Sequence, residues 1–474
     1  MKGNEHIPVP RPVAFWSLAH KFVPARLQLF GTAGWVATAF ILQQAVRLGS
    51  SVVLASLLAP ALLGTMLLIN TLRTGVELLT DVGVGQNIIN NPRGGEPEFY
   101  NTAWTIQILR GVLLTILALA LSVPVAQIYD NAELKYLLPF VAPVFFIAGL
   151  MSPSRFLLQK RMEVRKVATF DLVLGAVAAI VQIAVVAYSP TINALIWGLI
   201  VSTAISTIGS FYIIDWRGHK LQWDMPAAKS ILHFGKWIFL STLIYFLAMN
   251  FDRLYFADAI PLALLGVYGI ARTFSDTIML LFQHLGNSLI FPKISASALR
   301  GADLRRSIGP MRMVILLVIA TALAIGVSVA DQFIFLVYDA RYHAAGFFLT
   351  VLLFSTWFST LSTMSDALMM GVGKPSSVAL SNGVKLAVIV ALLPFILTNF
   401  GIHAALVVFV LAEIVRYGVL MWQTRSQGLG FARQDILATM CFVILAFVFR
   451  ETSMWAGITG GIDAWIAQAS ISHV

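Results

Sequence analysis

Apolar residues run along this chain in long blocks separated by short polar breaks, from residue 30 almost to the C-terminus. A bilayer core of about 30 Å takes about 20 apolar residues per helical crossing. Twelve blocks meet that length: 30–58, 61–82, 102–128, 136–158, 167–187, 192–214, 231–256, 262–291, 311–330, 345–369, 377–397 and 402–422. A weaker block at 436–449 is short for a crossing and the tail at 455–466 is shorter, so a thirteenth and fourteenth helix stay open beside an interfacial placement. The pattern predicts an all-α integral membrane protein. Its parts are an N-terminal segment 1–29, spans one to six over 30–216, a linker 217–230, spans seven to twelve over 231–424 and an extension 425–474.

Composition agrees. Of 474 residues, 58% are hydrophobic and 11% charged, and the mean hydropathy is +0.84, beyond what a chain with a hydrated surface carries. The single cysteine, Cys441, rules out an intrachain disulfide or thiolate cluster. Residues 1–29 hold Lys2, Arg11, Lys21 and Arg26 without the apolar region and cleavage site of a signal peptide. They are expected to be retained, with an amphipathic helix over 15–29 on the membrane surface.

The net charge of +10 follows from the enrichment of cytoplasmic loops in Lys and Arg, and calls for no nucleic acid partner. With the N-terminus inside, the loops after spans four, six and eight and their edges gather Arg155, Lys160, Arg161, Arg165 and Lys166, then Arg217, Lys220, Lys229 and Lys236, then Lys293, Arg300, Arg305, Arg306 and Arg312. The outer side of the twelve-span region carries Lys135, Arg253 and Arg341. The expected orientation is N-terminus cytoplasmic.

An internal repeat is faintly visible. Ala61, Leu62, Leu63, Gly64 and Thr71 match Ala263, Leu264, Leu265, Gly266 and Thr273 at a constant offset of 202, each stretch following a proline, Pro60 or Pro261. The offset covers six spans, an even number, so the two halves are expected to share one orientation as a 6+6 parallel repeat.

Charged side chains inside membrane spans are costly and default to a functional reading. Span eight carries Arg272, Asp276, Gln283 and Asn287 on one helical face, and span two carries Asn70, Arg73, Glu77 and Thr80. Span one offers Gln43, Arg47 and Ser50, span seven Ser241, Tyr245 and Asp252, and span ten Ser355, Ser359, Ser362 and Asp366. Such faces imply a shared polar cavity lined by spans one, two, seven and eight, with ten nearby. Arg73 with Glu77 and Arg272 with Asp276 alternatively read as i,i+4 ion pairs that only neutralise each other. Arg47 and Lys385 have no acid three or four positions away, so each needs a partner from another helix, water or an anionic ligand. Arg110 either faces inward or snorkels along a lipid-facing groove, and Glu413 with Arg416 reads as a local lock. Guanidinium forks bind phosphate oxygens in pairs, so Arg47, Arg73, Arg272 and Lys385 are candidate contacts for an anionic cargo. Glu77, Asp276, Asp252 and Asp366 are candidate ion-coupling groups or charge partners.

Enzymatic machinery is missing. Gly371-Val372-Gly373-Lys374-Pro375-Ser376 lacks the spacing of a nucleotide-binding loop, and Gly83-Val84-Gly85-Gln86-Asn87 follows a membrane helix instead of a strand and reads as a helix-ending turn. The histidines have no metal-ligand spacing, and neither cofactor nor metal is expected.

Leu57-Leu58-Ala59-Pro60 leading into Leu63-Gly64, with Leu79-Thr80-Asp81-Val82-Gly83-Val84-Gly85-Gln86-Asn87-Ile88-Ile89, resembles the opening hairpin of the polysaccharide-transporter or oligosaccharide-flippase family. That family belongs to the superfamily that also holds the multidrug MATE exporters. Asn250-Phe251-Asp252-Arg253-Leu254 through Leu265-Gly266-Val267-Tyr268-Gly269-Ile270-Ala271 is similar to the family's seventh-to-eighth helix pattern. The resemblance implies a MATE-like two-lobed bundle of two six-helix lobes forming a V around a cationic lumen in a bacterial inner membrane. It further implies alternating access that carries undecaprenyl-pyrophosphate-linked sugar units outward for exopolysaccharide or O-antigen synthesis. Arg47, Arg73, Arg272 and Lys385 would meet the pyrophosphate or acidic sugars, and the lipid tail would stay in the bilayer. The implied partners are the lipid-linked oligosaccharide, membrane lipid, and a polysaccharide polymerase with its co-polymerase. The alternative is a proton- or sodium-coupled multidrug antiporter of the same fold, which calls for an acid-dominated cavity.

Overall fold

A computed structural model describes residues 31–79, 83–213, 218–295, 299, 301–457 and 459. The amphipathic helix expected over 15–29 and nearly all of 455–466 beyond the end of the last helix lie outside them. Every regular element among the described residues is helical. Backbone amides in lipid have no water to bond, so a spanning segment satisfies them internally as helix.

The elements are α1 (Thr32–Leu57), α2 (Pro60–Leu79), α3 (Val84–Asn90), α4 (Pro97–Ile128), α5 (Leu134–Val141), α6 (Pro143–Gly149), α7 (Ser154–Lys160), α8 (Val164–Tyr188) and α9 (Ile192–Ser210). There follow α10 (Met225–Ala259), α11 (Leu262–Ser295), α12 (Gly301–Val337), α13 (Ala344–Gly371), α14 (Pro375–Ser426) and α15 (Ala432–Trp455). Local chemistry sets many starts. Pro97 and Pro375 occupy first-turn positions where a missing N–H costs nothing. Thr191 caps α9 by accepting from the Ala194 amide at 3.2 Å, and Asp224 caps α10 by accepting from Ala227 at 3.1 Å.

Among the described residues, nine helices are long and apolar enough to cross a membrane, or ten if one bent pair counts as a single crossing. The expected twelve are thus not established by length and composition, and the shortfall has identifiable causes. α2 and α10 form without being counted among the nine, and both carry charges, Arg73 and Glu77 on the one and Asp252 and Arg253 on the other. Expected spans eleven and twelve both fall within α14, which breaks at Gly401, where φ 77 and ψ −178 define a conformation open essentially to glycine. Span four is not the continuous helix expected over 136–158. It runs as α5, α6 and α7, with a bend of 45° between Leu134–Gly149 and α7; Pro143 starts α6 and Pro153 caps α7 at the two interruptions, while Pro139 lies within α5. The open block at 436–449 lies in α15, whose 24 residues are enough to span. The expected helix-ending turn at Gly83 instead starts α3, with Gly83 in the left-handed region at φ 64.

The chain divides into two compact units. Unit 1 takes in the described residues up to Leu243 with Phe256–Ile260, and unit 2 takes in Ile244–Tyr255 and those from Pro261 onward. In unit 1, α1 packs on α8, α8 on α9, and α4 on α5 and α6; the Trp35 indole donates to Thr169 Oγ1 at 2.9 Å. In unit 2, α13 packs against α11, α12 and α14. Its best apolar window is 72% buried, the highest among the spans, which makes it the central helix. Its hydroxyls turn inward: Ser275 and Thr356 bond at 2.9 Å, and Ser355 donates to Phe409 O at 3.2 Å. Small hydroxylated residues allow such close packing where no hydrophobic drive separates helix from lipid.

The outer surface is inverted relative to a water-soluble fold. Leu109, Leu113 and Ile116 of α4 are each more than half exposed, while Arg110 between them points to the interior. A stripe of that size belongs against lipid. The chain is a multi-pass membrane protein.

Candidate functional site

Unit 1 holds a polar cavity of about 390 Å³ bounded by α2, α4, α6 and α9. Helical spacing sets Arg73 and Glu77 one turn apart on α2, with Nη1 3.3 Å from Oε1. Arg110 of α4 donates from Nη2 to the Glu77 carbonyl oxygen, which resolves its two readings in favour of the interior. Gln107, Ser202, Thr203 and Ser206 complete the polar lining. Two guanidinium groups against one carboxylate leave the cavity with a positive surplus. The helices come this close because α4 and α6 meet at glycines: a Cβ on Gly111 would stand 2.9 Å from Gly149 Cα and 2.9 Å from Phe145 O. Arg47 of α1 is exposed and does not line this cavity.

Unit 2 holds two buried charge clusters. In the first, Arg272 Nε lies 3.4 Å from Asp252 Oδ2 and 3.3 Å from Asp276 Oδ1. Arg253 Nη2 pairs with Asp276, and the Tyr268 hydroxyl donates to Asp252. Arg253 also donates to Asn250 Oδ1 at 2.9 Å. In the second, Lys385 Nζ donates to Glu413 Oε1 at 2.6 Å, Arg416 lies 3.4 Å from Glu413 Oε2, and Arg416 Nη2 donates to Asp366 Oδ2 at 2.5 Å. The expected lock between Glu413 and Arg416 is therefore part of a four-residue network. Asp366 Oδ1 is buried without a partner among the described residues. The two clusters together hold Arg253, Arg272, Lys385 and Arg416 against Asp252, Asp276, Asp366 and Glu413, so their formal charges cancel.

The sequence-predicted residues are thus gathered in three places: Arg73 with Glu77, Arg272 with Asp252 and Asp276, and Lys385 with Asp366 through Glu413 and Arg416. Arg253, counted at the outer end of span seven, joins the first buried cluster of unit 2. Arg312, expected at the cytoplasmic edge of span nine, is fully buried in α12 and paired with Asp435. The Asp252-Arg253 doublet was the available signal for Arg253. Nothing local marked Arg312, whose partner is 123 positions away.

With these geometries in view, the comparisons with known proteins are decisive about kinship. A family model described as "Polysaccharide biosynthesis protein" matches residues 53–347. The chain belongs to this family. It is a family of transporters, not enzymes, and the fold is shared with a multidrug resistance MATE family transporter at TM-score 0.59 and 14% identity, covering 85% of this chain and 95% of that one. The teichuronic acid biosynthesis protein TuaB of Bacillus subtilis is 25% identical over 289 residues, covering 58% of this chain and 57% of its own length. A putative O-antigen transporter of Shigella flexneri is 22% identical over 238 residues, covering 50% of this chain and 56% of its own length. The chain spans little more than half the length of these curated relatives. The fold is that of the lipid II flippase MurJ in an inward closed conformation, at TM-score 0.72 and 11% identity, covering 91% of this chain and 95% of that one.

Proposed function

We propose that this polysaccharide-biosynthesis family member is a flippase that moves undecaprenyl-pyrophosphate-linked oligosaccharide repeat units from the cytoplasmic to the periplasmic leaflet by alternating access, in exopolysaccharide or O-antigen synthesis. The observation that carries the reading is the unit 1 cavity, where Arg73 and Arg110 outnumber Glu77 among hydroxyl and amide groups. A pyrophosphate needs guanidinium forks to replace its hydration, and sugars need the neutral donors and acceptors beside them. The roles that the names of TuaB and the putative O-antigen transporter carry, teichuronic acid biosynthesis and O-antigen transport, support the same class of cargo.

In this reading Arg47, Arg73, Arg272 and Lys385 are the headgroup contacts, and Arg110 is added to them. Arg272 and Lys385 are already held by carboxylates, so they meet cargo by exchanging partners. Glu77, Asp252, Asp276 and Asp366 are the groups that couple this exchange to a proton or cation, Asp366 through its unpartnered Oδ1. The lobes 30–216 and 231–424 are the proposed rocking halves of a twelve-helix parallel repeat, with the N-terminus cytoplasmic in a bacterial inner membrane and a polymerase and co-polymerase taking the product.

The test is reconstitution of the full chain into liposomes carrying a fluorescent lipid-linked oligosaccharide, read by accessibility to an impermeant glycosidase. Wild-type protein should expose the sugar, and Arg73→Ala combined with Arg110→Ala should not, at equal protein incorporation. Equal rates in both would end the proposal. A second reading, a cation-coupled drug antiporter, rests on the buried Asp366 Oδ1, unpartnered among the described residues, and drug efflux in a sensitive strain without sugar translocation would select it.

A further inference from the structure

Three helix ends in unit 2 meet at one level: the start of α12, the end of α14 and the start of α15. The turn between α14 and α15 is pinned to α12. Gly428 takes φ +72, and a Cβ there would stand 3.2 Å from the Cα of Gly301, itself at φ +54. Gln434 Nε2 donates to Gly309 O at 2.9 Å, and Arg305 Nη1 reaches Gly430 O at 3.5 Å. Beneath them the Arg312 guanidinium lies 4.7 Å from the centre of the Phe431 ring.

These contacts shape a pocket of about 860 Å³ bordered by Arg305, Arg306, Arg425 and Arg433, with Met313 and Phe431 in its wall. All four arginines are exposed. Among the described residues their paired carboxylate is Asp303, 3.6 Å from Arg306, so positive charge is left over. Like charges held around one hollow repel and focus a field that draws an anion. The sides of the same helices below the pocket are apolar and outward: Val314 and Val318 on α12, and Leu437, Met440 and Ile444 on α15, are all more than half exposed. Spacings of three and four residues align each set along one helical face. A soluble anion would use the arginines alone; a lipid uses both features.

We propose that this pocket binds the phosphate-bearing headgroup of an anionic phospholipid, whose acyl chains run along the outward apolar faces of α12 and α15. The four arginines lie outside the charge clusters assigned to cargo, so the site stands whether or not the flippase reading holds. Basic pockets between membrane helices take anionic headgroups by this chemistry, and each arginine near the headgroup contributes about fivefold in affinity.

The test uses the full-length protein purified in a zwitterionic detergent, with lipid binding titrated by native mass spectrometry. Phosphatidylglycerol should bind more tightly than phosphatidylcholine, and Arg425→Ala with Arg433→Ala should weaken it about twenty-fivefold while leaving phosphatidylcholine unchanged. Millimolar inorganic phosphate should not displace it. Should the double variant fail to purify, Arg306→Ala decides, with an expected loss of about fivefold. Equal phosphatidylglycerol affinity in wild type and variant overturns the proposal, and displacement by inorganic phosphate assigns the pocket to a soluble anion instead.

Discussion

Arg272 Nε stands between two carboxylates, 3.4 Å from Asp252 on α10 and 3.3 Å from Asp276 one turn along α11. A single cation shared this way can release one acid and keep the other. In the proposed cycle a phosphate arriving at Arg272 would compete with one of these carboxylates, Asp276 then keeping Arg253 and Asp252 keeping the Tyr268 hydroxyl. Partner exchange of this kind allows a buried charge to meet cargo without ever being left bare.

Arg272→Ala should consequently harm stability as well as transport, because it removes the cation paired with Asp252 and leaves Asp276 paired with Arg253. Breaking a buried pair from one side costs about 3–5 kcal/mol, readable as a lowered melting temperature of the purified protein. Adding Asp252→Asn, which removes the acid left without a cation among the described residues while Asp276 keeps Arg253, should restore most of the melting temperature but not sugar translocation. Restoration of both would make the cluster purely architectural.

For Arg73 the fork matters more than the charge. Each charge-assisted hydrogen bond is worth about 1.5–3 kcal/mol, so Arg73→Ala should slow translocation about tenfold to a hundredfold. Arg73→Lys keeps a point charge but loses bidentate geometry and should fall between. Initial rates in the liposome assay separate the three proteins, and a lysine variant equal to wild type would show that phosphate is not gripped by a fork there.

Two buried ion pairs should respond unequally to loss of their cation. Arg450 binds Asp331 with two bonds of 2.8 and 2.7 Å, and no second cation among the described residues is paired with that acid. Glu413, by contrast, retains Arg416 at 3.4 Å if Lys385 is removed. Arg450→Met should cost about 3–5 kcal/mol, and Lys385→Met distinctly less. Melting temperatures of the two variants check the order, and Arg450→Met with Asp331→Leu should recover much of the loss.

Gly111→Ala tests the close approach of α4 to α6. The added methyl would sit 2.9 Å from both Gly149 Cα and Phe145 O, backbone atoms that cannot swing aside. Overpacking of this kind costs about 1–3 kcal/mol and would spread the walls around Arg73 and Arg110. Lower thermal stability together with a changed apparent affinity for lipid-linked sugar is expected, while Gly49→Ala, where nothing lies within 4 Å, should be silent.

Hydropathy alone revealed most helices, since an apolar run of bilayer length has few alternatives. It also revealed Arg73 with Glu77 and Arg272 with Asp276, because partners one turn apart are neighbours in sequence. What it could not reveal were contacts made by distant segments. Lys385 has no acid within four positions, which left its partner open between another helix, water and an anion; Glu413 reaches it from the other side of the Gly401 break, 28 positions away. The bend of span four was concealed by a continuous apolar run, although Pro143 and Pro153 were its visible punctuation.

α15 is fastened to α12 near both ends, by Arg312 with Asp435 and by Arg450 with Asp331, side chains with almost no access to solvent. Two rivets at separate depths suppress swivelling as well as sliding, so the pair behaves as a single beam. A fluorophore or spin label at Met454, on the last turn of α15, would therefore serve as a remote gauge of α12, recording its tilt during a transport cycle without any reporter intruding on the charge clusters.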